Sequence, residues 1–95
     1  MRRLQLANQL RRRRADDKKA LRKRELNAID ILDNYPDHWR NAKCVELLLT
    51  IPAIGSTKAE RMMRTCSISH SRSLSSLTEH QRERLRKAIM PYCVA

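Results

Sequence analysis

Gly55 is the only glycine in 95 residues, and it stands in the segment Ile51-Pro52-Ala53-Ile54-Gly55-Ser56-Thr57-Lys58-Ala59. The sequence on both sides of it reads as helix. A lone glycine between two helices marks either a tight backbone turn or a close approach of main chain to another molecule. A helix start follows, with free first-turn N–H groups and Lys58 beside them. Bare amides at a helix N-terminus next to an ammonium group suit a phosphate. Lys58, Arg61 and Arg64 then recur at every third residue, which lays positive charge along one solvent face. In the loop that follows, Ser71, Arg72 and Ser73 offer hydroxyls and a guanidinium. That loop reads equally as a phosphate contact and as a plain serine-rich connector.

The charge is unevenly placed. The chain holds 21 Lys and Arg against ten Asp and Glu, a formal net charge of +11. Residues 1–24 carry eleven of the basic residues, opposed only by Asp16 and Asp17, so +9 lies in the first quarter. Arg11, Arg12, Arg13, Arg14, Lys18, Lys19 and Arg22 form the body of this run. An arm of such density binds polyanions by charge alone. Double-stranded DNA is the leading partner and RNA the second. A third reading is an adaptor whose basic arm folds on an acidic protein.

With no Phe and an aromatic content of 3%, the core must be aliphatic and small, within one domain. That leaves little material for an enzyme pocket. No carboxylate cluster of the metal-binding kind is evident, and no base can be paired with a nucleophile, so the chain reads as non-enzymatic and without a cofactor. Cys44, Cys66 and Cys93 are odd in number and form no Cys-x-x-Cys. The N-terminus is charged, with no apolar run, so reduced cysteines and a cytoplasmic location are expected. Cys66 and His70 have ligand-like spacing but lack two further nearby ligands, so no metal is expected. No stretch is apolar for long enough to span a membrane.

The elements follow from periodicity and breakers. Residues 2–34 lack Gly and Pro and are rich in Arg, Leu, Lys and Ala, which predicts one long helix ended by Pro36. Leu21, Ala28, Ile29 and Leu32 can face a core, whereas no large apolar residue lies between Leu10 and Ala20. The expected organisation is therefore a basic helical arm over 1–20, which projects, frays or orders on a partner, and a helical domain over 21–95. A second helix is predicted from Asp37 to Leu49, with Trp39 as a core anchor. A third spans about 57–66, opened by a Thr57-x-x-Glu60 capping box, with Ser56 as a competing cap. Its stripe Ala59, Met62, Met63 and Cys66 faces inward. Ser67 to Ser76 reads as an extended loop docked by Ile68 and Leu74. Thr78-x-x-Gln81 opens the last helix, about 79–90, which Pro91 stops. Arg82, Arg84 and Arg86 on it either reach DNA or solubilise. The fold class is all-α.

The turn fits two related patterns. A helix-hairpin-helix has two glycines, and here Ala53 stands in place of the first. A helix-two-turn-helix has a looser turn between packed helices. In both, main-chain N–H groups hold a phosphate. A helix–helix corner without a ligand is the plain reading.

The segments "LLLTIPAIGSTKAERMM", "ISHSR" and "LTEHQRERL" resemble the actinobacterial integration host factors over residues 42–92. Pro52, Gly55, Lys58, Ala59, Ile68, Arg72, Leu77 and Gln81 keep that family's spacing. Ser73 and Ser75 stand where the family tends to have Arg, and Ser76 and Thr78 where it tends to have Gly. A phage-encoded or otherwise divergent relative fits the same register. The resemblance implies a monomeric, nucleoid-associated, helix-two-turn-helix protein with a long basic first helix. It implies DNA binding with little sequence preference, DNA shaping or compaction, and an integrase complex as a further partner. Carried over, Pro52, Ile54, Gly55, Ser56, Thr57 and Lys58 with Ser71, Arg72 and Ser73 grip backbone phosphates. The missing loop arginines weaken that grip or shift it onto the arm.

Overall fold

The Gly- and Pro-free N-terminal stretch is broken after Arg22, not continuous. The computed structural model describes residues 3–93 and side chains from Leu6 onward. Arg2, at the start of the expected arm, lies outside the described residues. Helix α1 runs Arg3–Arg22 and α2 runs Ala28–Asp33. Between them the chain closes a Schellman corner. The Arg24 N–H donates to Leu21 O at 3.1 Å and the Glu25 N–H to Ala20 O at 2.8 Å. Arg24 takes the left-handed position at φ 63°, which a glycine usually fills. Asn27 then caps α2, its side chain accepting the Ile29 N–H at 2.9 Å. Good helix formers thus stop because the chain must fold back, an instruction that propensity does not carry.

The expected helix from Asp37 to Leu49 also divides. A single 3-10 turn covers Asp37–Trp39, and α3 is only Cys44–Leu48. The cause lies far along the chain. Residues 40–44 pair with the serine loop: the Cys44 N–H donates to Arg72 O at 2.9 Å and the Leu74 N–H to Ala42 O at 2.9 Å. Lys43 and Ser73 form an isolated antiparallel bridge. Backbone held in that ladder cannot be helical. Helix α4 follows as Ser56–Thr65, a 3-10 turn covers Leu74–Ser76, and α5 runs Glu79–Cys93. Pro91 lies inside α5 and does not end it. Its missing N–H and its ring act on the Lys87 carbonyl as in any helix interior, and only two residues of helix follow it. The fold is all-α.

Trp39 is fully buried with Leu32, Leu47, Leu48, Leu74, Leu85 and Ile89. Helix α2 packs on α5, and α4 packs on both α3 and α5. Arg82 ties these layers, donating to the carbonyls of Leu32 and Leu74, while Arg86 grips Asp33 Oδ1 at 2.6 and 3.1 Å. These two arginines are therefore internal struts. The Thr78 and Gln81 capping box forms as read, with both bonds at 3.1 Å.

Residues 10–20 of α1 dock on the turn at Asp37–Trp39 by polar contacts. Asp17 Oδ2 accepts the Trp39 Nε1–H at 2.9 Å and pairs with His38 Nε2 at 2.5 Å. Arg14 donates to His38 O at 3.0 Å and meets Glu46 at 3.2 Å. Leu10, Arg14, Asp17, Lys18 and Leu21 share one face by helical spacing, mostly without apolar residues. Replacing Asp17 by Ala leaves the Trp39 N–H without its acceptor. The variant should lose about 1.5–3 kcal/mol in urea unfolding and shift Trp39 emission to the red. Helix α4 ends in a second Schellman corner, with Ser67 left-handed at φ 58° and the Ile68 N–H on Met63 O at 2.8 Å. Ser67→Gly should stabilise the chain by about 1 kcal/mol, read as a rise in melting temperature.

Candidate nucleic-acid interface

The turn between α3 and α4 is closed by the Ile54 N–H on Ile51 O at 3.1 Å. Pro52 fills its second position and Ala53 its third, at φ 75°. This is a type II arrangement, in which the third position favours glycine. Ala53 holds it at a cost of about 1–2 kcal/mol. Gly55, two residues on, has φ −91° and ψ 180°, ordinary extended backbone. A Cβ placed on Gly55 would meet no atom within 4 Å. The fold therefore does not need its glycine where the glycine stands. Of the two meanings of a lone glycine, turn geometry belongs to Ala53, and open main chain is what remains at Gly55.

That open main chain is a helix start. Gly55 is the N-cap residue of α4, and its carbonyl accepts the Ala59 N–H at 2.9 Å. No side chain caps the helix, so the expected Thr57–Glu60 capping box is not made. Ser56 and Thr57 lie one and two residues inside the helix, past the position from which a hydroxyl can cap. The N–H groups of Ser56, Thr57 and Lys58 have no acceptor within the helix. All three residues are exposed, as are Arg61 and Arg64. Ala59, Met63 and Cys66 are buried and Met62 is half-buried, so the inward stripe stands as read. Ile54 is 5% exposed and anchors the turn from the inside, and Pro52 is half-buried.

Ser71 is exposed, while Arg72 and Ser73 are half-buried. The Ser73 hydroxyl bonds to those of Ser75 and Ser76 at 3.4 and 3.1 Å. Serines 73, 75 and 76 thus build the loop, and the Ser69 and Ser71 hydroxyls, 3.3 Å apart, face solvent. On α1, Arg11, Arg12, Arg13, Lys19 and Arg22 are exposed. Arg14 and Lys18 instead approach Glu46 at 3.2 and 4.0 Å, so part of the arm's charge is compensated within the fold. Burial pushes the Cys44 thiol up to about 11 and raises those of Cys66 and Cys93. Thiols in that state are poor nucleophiles and poor thiolate ligands at neutral pH. The sequence reading did not single out Tyr92, whose ring lies under the Lys58 ammonium at 4.8 Å. Taking Pro91 as the helix end left it outside α5.

A family model described as the S13-like H2TH domain matches residues 21–89. The chain belongs to this family. H2TH stands for helix-two-turn-helix. A solved structure described as sIHF bound to an 8bp palindromic DNA superposes with a TM-score of 0.81 at 26% identity. The match covers 88% of this chain and 97% of that one. The chain is also 46% identical over 44 residues to a guanylate kinase of Leifsonia xyli subsp. xyli (strain CTCB07). That segment is 46% of this chain but only 17% of the kinase.

The glycine assignments separate by stability. Ala53→Gly should raise the unfolding free energy by about 1 kcal/mol. Gly55→Ser, which supplies the missing cap, should raise it by a few tenths of a kcal/mol. Urea titration of both variants checks the order.

Proposed function

We propose that this chain binds double-stranded DNA through backbone phosphates, without enzymatic activity and with little sequence preference. The observation that carries the reading is the uncapped start of α4 at Gly55. Its first-turn amides have no internal acceptor, and the exposed Lys58, Arg61 and Arg64 follow on the same helix. The likeness to a protein solved on DNA supports the same partner. Pro52 and Ile54 hold the turn, and Ser56, Thr57 and Lys58 meet the phosphate. The Ser71–Ser73 loop, through Arg72, and the arm cations Arg11, Arg12, Arg13, Lys19 and Arg22 add sequence-independent contacts. Arg14 and Lys18 contribute less, because Glu46 shares their charge.

Contacts from both the turn and the outer face of α1 allow a monomer to bend, bridge or compact DNA, with the 1–20 arm docked on the domain over 21–95 through Arg14 and Asp17. A nucleoid location and service to an integrase complex belong to the same reading, as does a phage-encoded origin. No helix among the described residues is long and apolar enough to cross a membrane. RNA is the second reading, favoured by the S13-like character of the family, since phosphate gripping does not separate the two nucleic acids. Competition between duplex DNA and a structured RNA decides it.

Neutralising about six phosphates should lower affinity about a thousandfold between 50 and 200 mM salt. Fluorescence anisotropy with a labelled duplex reads this directly, and a flat salt dependence overturns the mechanism. Gly55→Ser should weaken binding while stabilising the fold. Unchanged affinity in that variant, or in Lys58→Glu/Arg61→Glu, would make the turn merely structural.

A further inference from the structure

Lys58 does not extend freely into solvent. Its Nζ stands 4.8 Å from the centroid of the Tyr92 ring. Tyr92 lies in the last turn of α5 and is half-buried. A ring face takes one side of an ammonium group and leaves its other donors directed outward. Tyr92 also walls a recess of about 90 Å³, together with Arg24, Leu26, Asn27, Pro52 and Cys93. That recess brings the corner after α1 beside the residue that opens the turn. Arg24 is exposed there and has no ion-pair partner among the described residues. Lys58 lies over the Tyr92 ring and Arg24 lines the recess that Tyr92 walls, although the two cations lie 34 residues apart in the sequence.

We infer that Tyr92 and Arg24 extend the nucleic-acid face beyond the turn. Tyr92 is a positioning residue, holding the Lys58 ammonium where a phosphate meets the α4 amides. Arg24 supplies a second phosphate contact across the mouth of the recess. The inference rests on the DNA-binding reading and gives it a boundary, since it joins the turn to the C-terminal end of α1. Pre-organising a flexible lysine reduces the ordering cost of binding. Its effect should therefore appear in affinity without altering the number of ions released.

The test uses the full chain and a fluorescein-labelled duplex of about 20 base pairs, titrated across the salt range that resolves the counterion slope. Tyr92→Leu should weaken binding about threefold with an unchanged slope, and Tyr92→Phe should bind within about twofold of the original chain. In a Lys58→Gln background the Tyr92→Leu effect should vanish. Arg24→Gln should reduce the slope by about 0.9. The inference is overturned by wild-type affinity in Tyr92→Leu, by an undiminished loss in the Lys58→Gln background, or by a full slope in Arg24→Gln. A readout on the unaltered chain guards against misfolded variants: Tyr92 ring resonances should move when duplex is added, and fixed resonances overturn the proposal. If the unaltered chain fails to bind duplex at the lowest salt, the DNA reading falls and takes this inference with it. Binding without the Tyr92 and Arg24 effects overturns the inference alone.

Discussion

Three backbone corners shape this domain, and each turns on a left-handed residue that is not glycine: Arg24, Ala53 and Ser67. The first folds α2 back from α1, the second sets α4 against α3, and the third releases the chain into the serine loop. Everything that positions the candidate interface depends on them. Each costs about 1–2 kcal/mol relative to an unstrained residue, and two are supported by Schellman bonds that satisfy terminal carbonyls. In the corner after α4, Met63 and Ile68 are also both buried, so the corner is fixed by packing as well as by hydrogen bonds. A chain that tolerates this strain three times has a glycine available and places it elsewhere. At Gly55 neither φ nor internal space requires it.

The second constraint is the docking of α1 by polar groups. Asp17 joins the helix to Trp39 and His38, and Glu46 draws Arg14 and Lys18 inward. Partly buried charges need partners, and these supply each other. The consequence is a division of the arm's cations. Those on the inner face hold the helix to the body, and those on the outer face keep their charge for solvent or a polyanion. Arg82 and Arg86 make the same point on α5. Both are basic residues of a basic protein, yet both are occupied with carbonyls or a carboxylate inside the fold.

The legible parts of the sequence were those where local chemistry and final structure agree. The α4 stripe and the Thr78–Gln81 box follow from spacing, and the buried Trp39 and the docking of the loop by Ile68 and Leu74 from residue type. The illegible parts were set by distant partners. Nothing local in residues 40–44 warns that Arg72 and Leu74 will pair with them, so Asp37 to Leu49 reads as one helix. The inner face of α1 has helical spacing but polar residues, so a search for apolar periodicity passes over it. Pro91 reads as a breaker, yet α5 continues for two residues beyond it. Misreading it also hid Tyr92, and with it the neighbour of Lys58.

The start of α4 has a further implication. Ser is among the best capping residues, yet the helix begins one residue too early for Ser56 to cap and two too early for Thr57. A shift of one position would satisfy an amide internally and stabilise the fold. The register that exists leaves the first-turn amides without an internal acceptor and keeps Ser56 and Thr57 exposed beside them. Stability and anion binding compete for the same N–H groups, because an amide with an internal acceptor has none left for a phosphate. A capped α4 would suit a chain whose turn served only as a corner. The bare start, next to a glycine the backbone does not need, is what the proposed phosphate contact requires.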